Sequence, residues 1–449
     1  MEAQDQEINP EEDLRLLKNP RFRHLLASRM LGQTAYNAVL YALLILVVTD
    51  TGSSVQSTFL IVAFTLPSAI FGIPGGALAD ILPKRFTLTA GYFLRGAIVA
   101  ALFFYADDVF MIFVLAAATA TVNQVFAPAE SATVPALVRD DQLPAANALM
   151  VLTMVMGQIA GMVVLAPILL KLISAQAVFS VAVVIYFGSA YIVGWLARDF
   201  TAAEEARTQD PGFIEVVKEG FRILRTNRMA YLAIVYLTTS FSLLKVLVVL
   251  LPKYTEDVLD IRAEDAVFVA APAALGAGLG LALVPLASRL FGAWRVVAAG
   301  FIIFLLCLIG MGMVVYVRDF IQTHLDLGIT FAEEQVGVSS VITVSMILAV
   351  PIGFAFSLVS VGARVVLNRQ APPRAQGRVF AVQMAVGDVL SLAPLLVIGV
   401  MADVVGVRGT LLASALAAML AAGYLTFSKR FGPPAGPPVH TLEPAPEAR

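Results

Sequence analysis

The chain carries almost nothing with which to do metal or thiol chemistry. It has one cysteine, Cys307, which excludes an intrachain disulfide and reads as a small apolar side chain. Its three histidines, His24, His324 and His440, are scattered, so no metal-ligand spacing is present and no cofactor is implied. No GxxxxGK followed by Ser or Thr occurs, which argues against direct drive by ATP through a phosphate-binding loop. Charged residues make up only 14% of the chain and the net charge is −2, which gives no basic surface for nucleic acid. No cleavable leader is visible. A charged cytosolic start, residues 1–24, runs into an apolar stretch that reads as an uncleaved anchor. The chain is read as a non-enzyme.

What it has is apolar length. Hydrophobic residues are 59% of the sequence and mean hydropathy is +0.85. Roughly 20 apolar residues span about 30 Å of hydrocarbon, and only helices close their backbone hydrogen bonds there without neighbours. Such runs fall at about 25–49, 56–80, 87–105, 109–130, 147–170, 175–197, 229–252, 264–287, 294–317, 339–362, 379–403 and 408–427. They predict an all-α polytopic membrane protein of twelve transmembrane helices.

The pattern is also written twice. Asn19 opens NPRFRHLLASRM, and Asn227, 208 positions on, opens NRMAYLAIVYLT. At the same offset Gly72 answers Gly280, and Leu78-Ala79 answers Leu286-Ala287. Later the offset is 230, and Gly157-Gln158 answers Gly387-Asp388. Two pseudo-symmetric six-helix bundles, 25–197 and 229–427, are therefore expected, with a transport site between them. The change of offset marks an insertion at about 318–338, read as an elaborated loop. Residues 198–228 form a cytosolic linker in which Asp210-Pro211 starts a short amphipathic helix. The proline-rich tail, 428–449, is expected to be disordered.

Basic residues fix the orientation. With both termini inside, the outer loops receive only Lys171, Lys253, Arg262, Arg318 and Arg408. Arg95 and Lys245 fall within spans, and the remaining Lys and Arg are cytosolic. This bias predicts a plasma membrane of the bacterial inner-membrane type, with both termini cytosolic.

The loop GGALADILPKR, residues 75–85, resembles the signature loop of the major facilitator superfamily. Gly76, Leu78, Ala79, Asp80, Lys84 and Arg85 match it; Ile81 and Pro83 stand where Arg and Gly are usual. The resemblance implies a gating loop, in which Asp80 at the membrane edge meets the positive N-terminal end of span eleven and holds the inside closed. Gly75 and Gly76 allow a neighbouring helix to come close. Three further segments, 128–149, 219–228 and 371–382, resemble the enterobactin-exporter and macrolide-efflux branch of drug:proton antiporters. That implies proton-driven export of a small, partly hydrophobic compound. In span five, Gly157 and Gly161 keep a GxxxG spacing that permits close helix contact.

Polar residues inside spans are the site candidates, because burying them in lipid costs several kcal/mol unless they face a cavity or a partner. Arg29, Gln33, Tyr36, Asn37 and Tyr41 follow each other at helical spacing in span one, as Thr238, Ser242 and Lys245 do in span seven. The resemblance places spans one, four, seven and ten around a central cavity. Gln33, Tyr36, Asn37, Asn123, Gln158, Thr238 and Ser242 are accordingly expected to line it.

Lys245 and Asp388 lie at mid-depth in spans seven and eleven. A carboxylate in an apolar setting resists ionisation, and an ammonium beside it favours ionisation. Three readings follow: Asp388 as proton carrier with Lys245 as its alternating partner, Lys245 as the site of an anionic substrate group, or a permanent ion pair. Arg95 and Glu130 are expected to form a structural salt bridge between spans three and four. The doubling breaks at mid-depth, where neutral Asn37 answers Lys245 and neutral Gln158 answers Asp388.

The expected function is secondary active transport by alternating access, proton-coupled and outward, of a drug-like, macrolide-like or siderophore-like compound. The partners are that small molecule, a proton and membrane lipid, and the chain is read as a monomer. A carrier of lipid-like amphiphiles and a non-transporting membrane sensor on the same fold remain as alternatives.

Overall fold

The computed structural model describes residues 16–139, 142–196, 228–324, 338–370 and 376–427. Among these it holds twelve helices long and apolar enough to cross a membrane. The chain divides into two compact units, Met1–Asp210 and Pro211–Arg449. In the first unit, spans one to four are Pro20–Thr51, Ser54–Ile81, Lys84–Phe104 and Val109–Leu137. Span five is composite: Leu143–Gln158, a π-helical Ile159–Leu165, then Ala166–Leu172. Span six is Ala175–Leu196. In the second unit, spans seven to twelve are Arg228–Asp257, Ala266–Phe291, Ala293–Gly312, Ser340–Gln370, Gln376–Val405 and Val407–Phe427.

The repeat seen in the sequence recurs in the packing. Span one packs on spans five and six, span two on four, and span three on four and six. In the second unit span seven packs on eleven and twelve, eight on ten, and nine on ten and twelve. Small residues set the closest of these approaches. A Cβ on Gly157 would stand 2.6 Å from Gln33 Cβ and 2.8 Å from the Met30 carbonyl, and one on Gly161 would strike the Thr34 carbonyl. The GxxxG pair of span five therefore lies directly on span one. On span two the close approach is at Gly75, whose Cβ would be 2.7 Å from the Gln124 carbonyl. Gly76, expected to share this role, has nothing within 4 Å.

Local signals explain the helix ends. Asn19 caps span one: its side chain accepts from the backbone N–H of Arg21 and Phe22, and Pro20 fills the first helical position. Span one ends at Gly52, whose φ of 60° permits a left-handed cap. Span one therefore begins five residues before the expected position. The insertion at 318–338 does not open as a loop, because a helix, Val314–His324, runs into it. The rest of that insertion, most of the linker and the tail lie outside the described residues. Large side chains such as Leu275, Val184 and Tyr191 point outward, as suits helices whose solvent is hydrocarbon.

Candidate functional site

Each unit carries its own cluster of charge. In the first, Glu130 of span four is 3% exposed. Its carboxylate takes Arg29 of span one as ion-pair partner. The same guanidinium donates through Nε to the Met150 carbonyl of span five at 3.1 Å. Arg95 of span three, also 3% exposed, donates to Asn123 Oδ1 of span four. Its Cζ stands 4.1 Å from the centroid of the Phe126 ring, a cation–π geometry. Tyr92 of span three closes the group by donating to the Ser28 carbonyl of span one at 2.9 Å.

The expected Arg95–Glu130 bridge is thus not a direct pair. Glu130 goes to Arg29, and Arg95 is held by an amide and an aromatic face. The reason is register. Starting the helix at Pro20 puts Arg29 well inside span one, at a depth matching Glu130 near the far end of the antiparallel span four. Two guanidinium groups then share the field of one carboxylate. Four helices are tied together by groups that are nearly all inaccessible.

In the second unit, Lys245 Nζ of span seven donates to Asp388 Oδ1 of span eleven at 2.8 Å and to Ser391 Oγ at 2.9 Å. Ser391 donates its own proton to the Asp388 backbone carbonyl at 2.8 Å. The Lys245 and Asp388 side chains are 24% and 32% exposed, so this pair is reachable where the Glu130 cluster is not. The same two spans are joined again by Lys253 and Asp403, 2.8 Å apart.

The other candidates divide. Gln33, Tyr36, Asn123 and Ser242 are partly open and Gln158 is exposed. Tyr36 packs edge-on against Phe64 of span two, centroids 5.9 Å apart. Asn37 and Thr238 are buried; the Asn37 amide donates to the Gln33 carbonyl at 2.8 Å. In the loop between spans two and three, Lys84 folds back on the Ala79 carbonyl at 2.8 Å, a cation at a helix C-terminus. Arg85 reaches the Gly194 carbonyl of span six at 3.5 Å. The Asp80 side chain, and with it the expected contact to span eleven, lies outside the described residues. Among the described residues no group of His, Cys, Asp and Glu has the makings of a metal site.

Tyr92, Phe126 and the Ser28 carbonyl of the first cluster are not reached from sequence, nor are Ser391 and the Met150 carbonyl. Ser391 stands three residues beyond Asp388 and shares its helix face, a spacing that was available to read. The Met150 carbonyl is backbone and leaves no trace in residue identity.

The family described as Major Facilitator Superfamily matches residues 25–394. A search of curated proteins finds no match. Among solved structures, the chain is similar to the POT family transporter PepTSo, with 15% identity, a TM-score of 0.70, and coverage of 91% of this chain and 97% of that one. It is similar to the nucleoside transporter NupG at 12% identity and a TM-score of 0.67, covering 90% and 98%. It is also similar to a bacterial homolog of the human lysosomal transporter Spinster at 14% identity and a TM-score of 0.67, covering 92% and 98%. At these identities the likeness is one of fold.

Proposed function

The chain belongs to the major facilitator superfamily, and on that footing we propose that it is a proton-coupled exporter of a small amphipathic compound, working by alternating access. The observation that carries the proton part is the half-open Lys245–Asp388 pair inside two spans. A charge at mid-membrane depth costs about 2.5–3.5 kcal/mol on insertion scales. Neutralising Asp388 with a proton discharges the counter-ion of Lys245 and gives a two-state element that a pH gradient can bias.

The substrate part rests on composition. Gln33, Tyr36, Asn123, Gln158 and Ser242 offer a few hydrogen-bonding groups on otherwise apolar helices, which suits a molecule with few polar groups. Export, rather than uptake, is supported by the resemblance of 128–149 and 219–228 to efflux proteins. The placement of basic residues supports a plasma membrane with cytosolic termini.

One observation favours a rival. Lys253–Asp403 joins the same two spans, as a purely structural seam would. The test is transport by the full chain in proteoliposomes under an imposed pH gradient, with a panel of amphipathic compounds in competition. Asp388→Asn is expected to abolish gradient-driven accumulation while leaving the protein folded. Wild-type rates at every pH in that variant would give the pair to the structural reading.

A further inference from the structure

We propose that Ser391 is a positioning residue that keeps the Lys245 ammonium beside Asp388 in both protonation states of the carboxyl group. This rests on the proton-carrier reading above. Ser391 is 1% exposed and its one O–H is committed to the Asp388 carbonyl at 2.8 Å. Its remaining capacity is as an acceptor, and at 2.9 Å it accepts from Lys245 Nζ. The ammonium has three donors. One goes to Asp388 and one to Ser391.

The two bonds respond differently to a proton. The bond to Asp388 is an ion pair and weakens when the carboxylate is neutralised. The bond to Ser391 is to a neutral hydroxyl and is untouched. Lys245 therefore keeps an anchor when its counter-ion is discharged. The proton is then taken up against a positive charge held in place, and when it leaves, the ammonium is already in position to re-form the pair.

Span seven carries Arg228 at its start, Lys245, then Lys253, which is paired with Asp403, and Glu256 and Asp257 at its end. The charged residue of span twelve, Arg408, donates to the Gly312 carbonyl at 3.3 Å. Arg364 is near the end of span ten. Lys245 is the charge in direct ion-pair contact with Asp388.

The experiment is the pH profile of transport by the full chain in proteoliposomes, for wild type, Ser391→Ala, Ser391→Thr, Ser391→Cys and Asp388→Asn. In Ser391→Ala the ammonium is free to leave once the carboxyl is protonated, and the ion pair has lost a supporting bond. Both effects ease protonation, so the profile should move to higher pH by about one unit, a tenfold change in proton concentration. Ser391→Thr keeps the hydroxyl and should restore the wild-type midpoint. Ser391→Cys, of similar size but a weak acceptor, should follow Ser391→Ala, and it carries the test if the alanine variant is poorly made. An unshifted midpoint in the alanine or cysteine variant, beside an Asp388→Asn variant that has lost its pH response, overturns the positioning role alone. An Asp388→Asn variant that keeps its pH response overturns the proton reading itself.

Discussion

The two units solve the problem of charge inside a membrane in opposite ways. In the first, Glu130, Arg29 and Arg95 sit among four helices and are held by an ion pair, an amide, a carbonyl and a ring. In the second, Lys245 and Asp388 link spans seven and eleven and remain a quarter to a third exposed. At the repeat offsets, Arg29 is answered by Leu237, Arg95 by Ile303 and Glu130 by Ser360. Lys245 is answered by Asn37, Asp388 by Gln158 and Ser391 by Gly161. Neither cluster has a counterpart. A charge buried beyond the reach of water is expensive to uncouple and so acts as a rivet. A charge that water or a proton can reach can change partners.

The sharpest test of this contrast is Glu130→Gln. It leaves the largely buried Arg29 guanidinium without its ion-pair partner, and breaking a buried pair in this way costs about 3–5 kcal/mol. Thermal unfolding in detergent should show a large loss, whereas Asp388→Asn should unfold close to wild type. Equal losses in the two variants would dissolve the contrast. Next in size is Gly161→Ala, whose new Cβ meets the Thr34 backbone rather than a movable side chain. Overpacking of this kind costs about 1–3 kcal/mol, again read as thermal stability. Arg95→Lys gives up the planar cation over Phe126 and should cost about 1 kcal/mol, with the pH profile of transport unchanged. The smallest effect belongs to Lys253→Ala. Its pair with Asp403 is partly exposed, and such pairs contribute about 0–1 kcal/mol. A shifted transport profile in Lys253→Ala would extend the switchable region along the whole seam between spans seven and eleven.

Hydropathy made the spans legible because lipid demands long apolar helices whatever their packing. It also exposed Lys245 and Asp388, since two opposite charges at mid-depth in neighbouring spans have few places to go. The partner of Glu130 was harder to read. Arg29 belongs to a polar stripe that points equally to a cavity, and only the true start of span one sets its depth. The signal for that start, Asn19-Pro20, is a cap followed by a helix-opening proline. Gly76 shows the opposite limit. Its motif match is good, yet only its neighbour Gly75 faces span four, because one residue turns a helix by roughly 100°.

Span five and span eleven correspond in the repeat, but only span five is wound with a wider turn, over Ile159–Leu165. A turn closed five residues back instead of four takes in one residue more. Everything beyond it is rotated by roughly 100° relative to an even winding. Gly157 lies before the wide turn, Gly161 within it, and both rest on span one. A one-residue deletion that restored even winding over Ile159–Leu165 would re-aim the end of span five, Ala166–Leu172, without altering any side chain that touches Arg29.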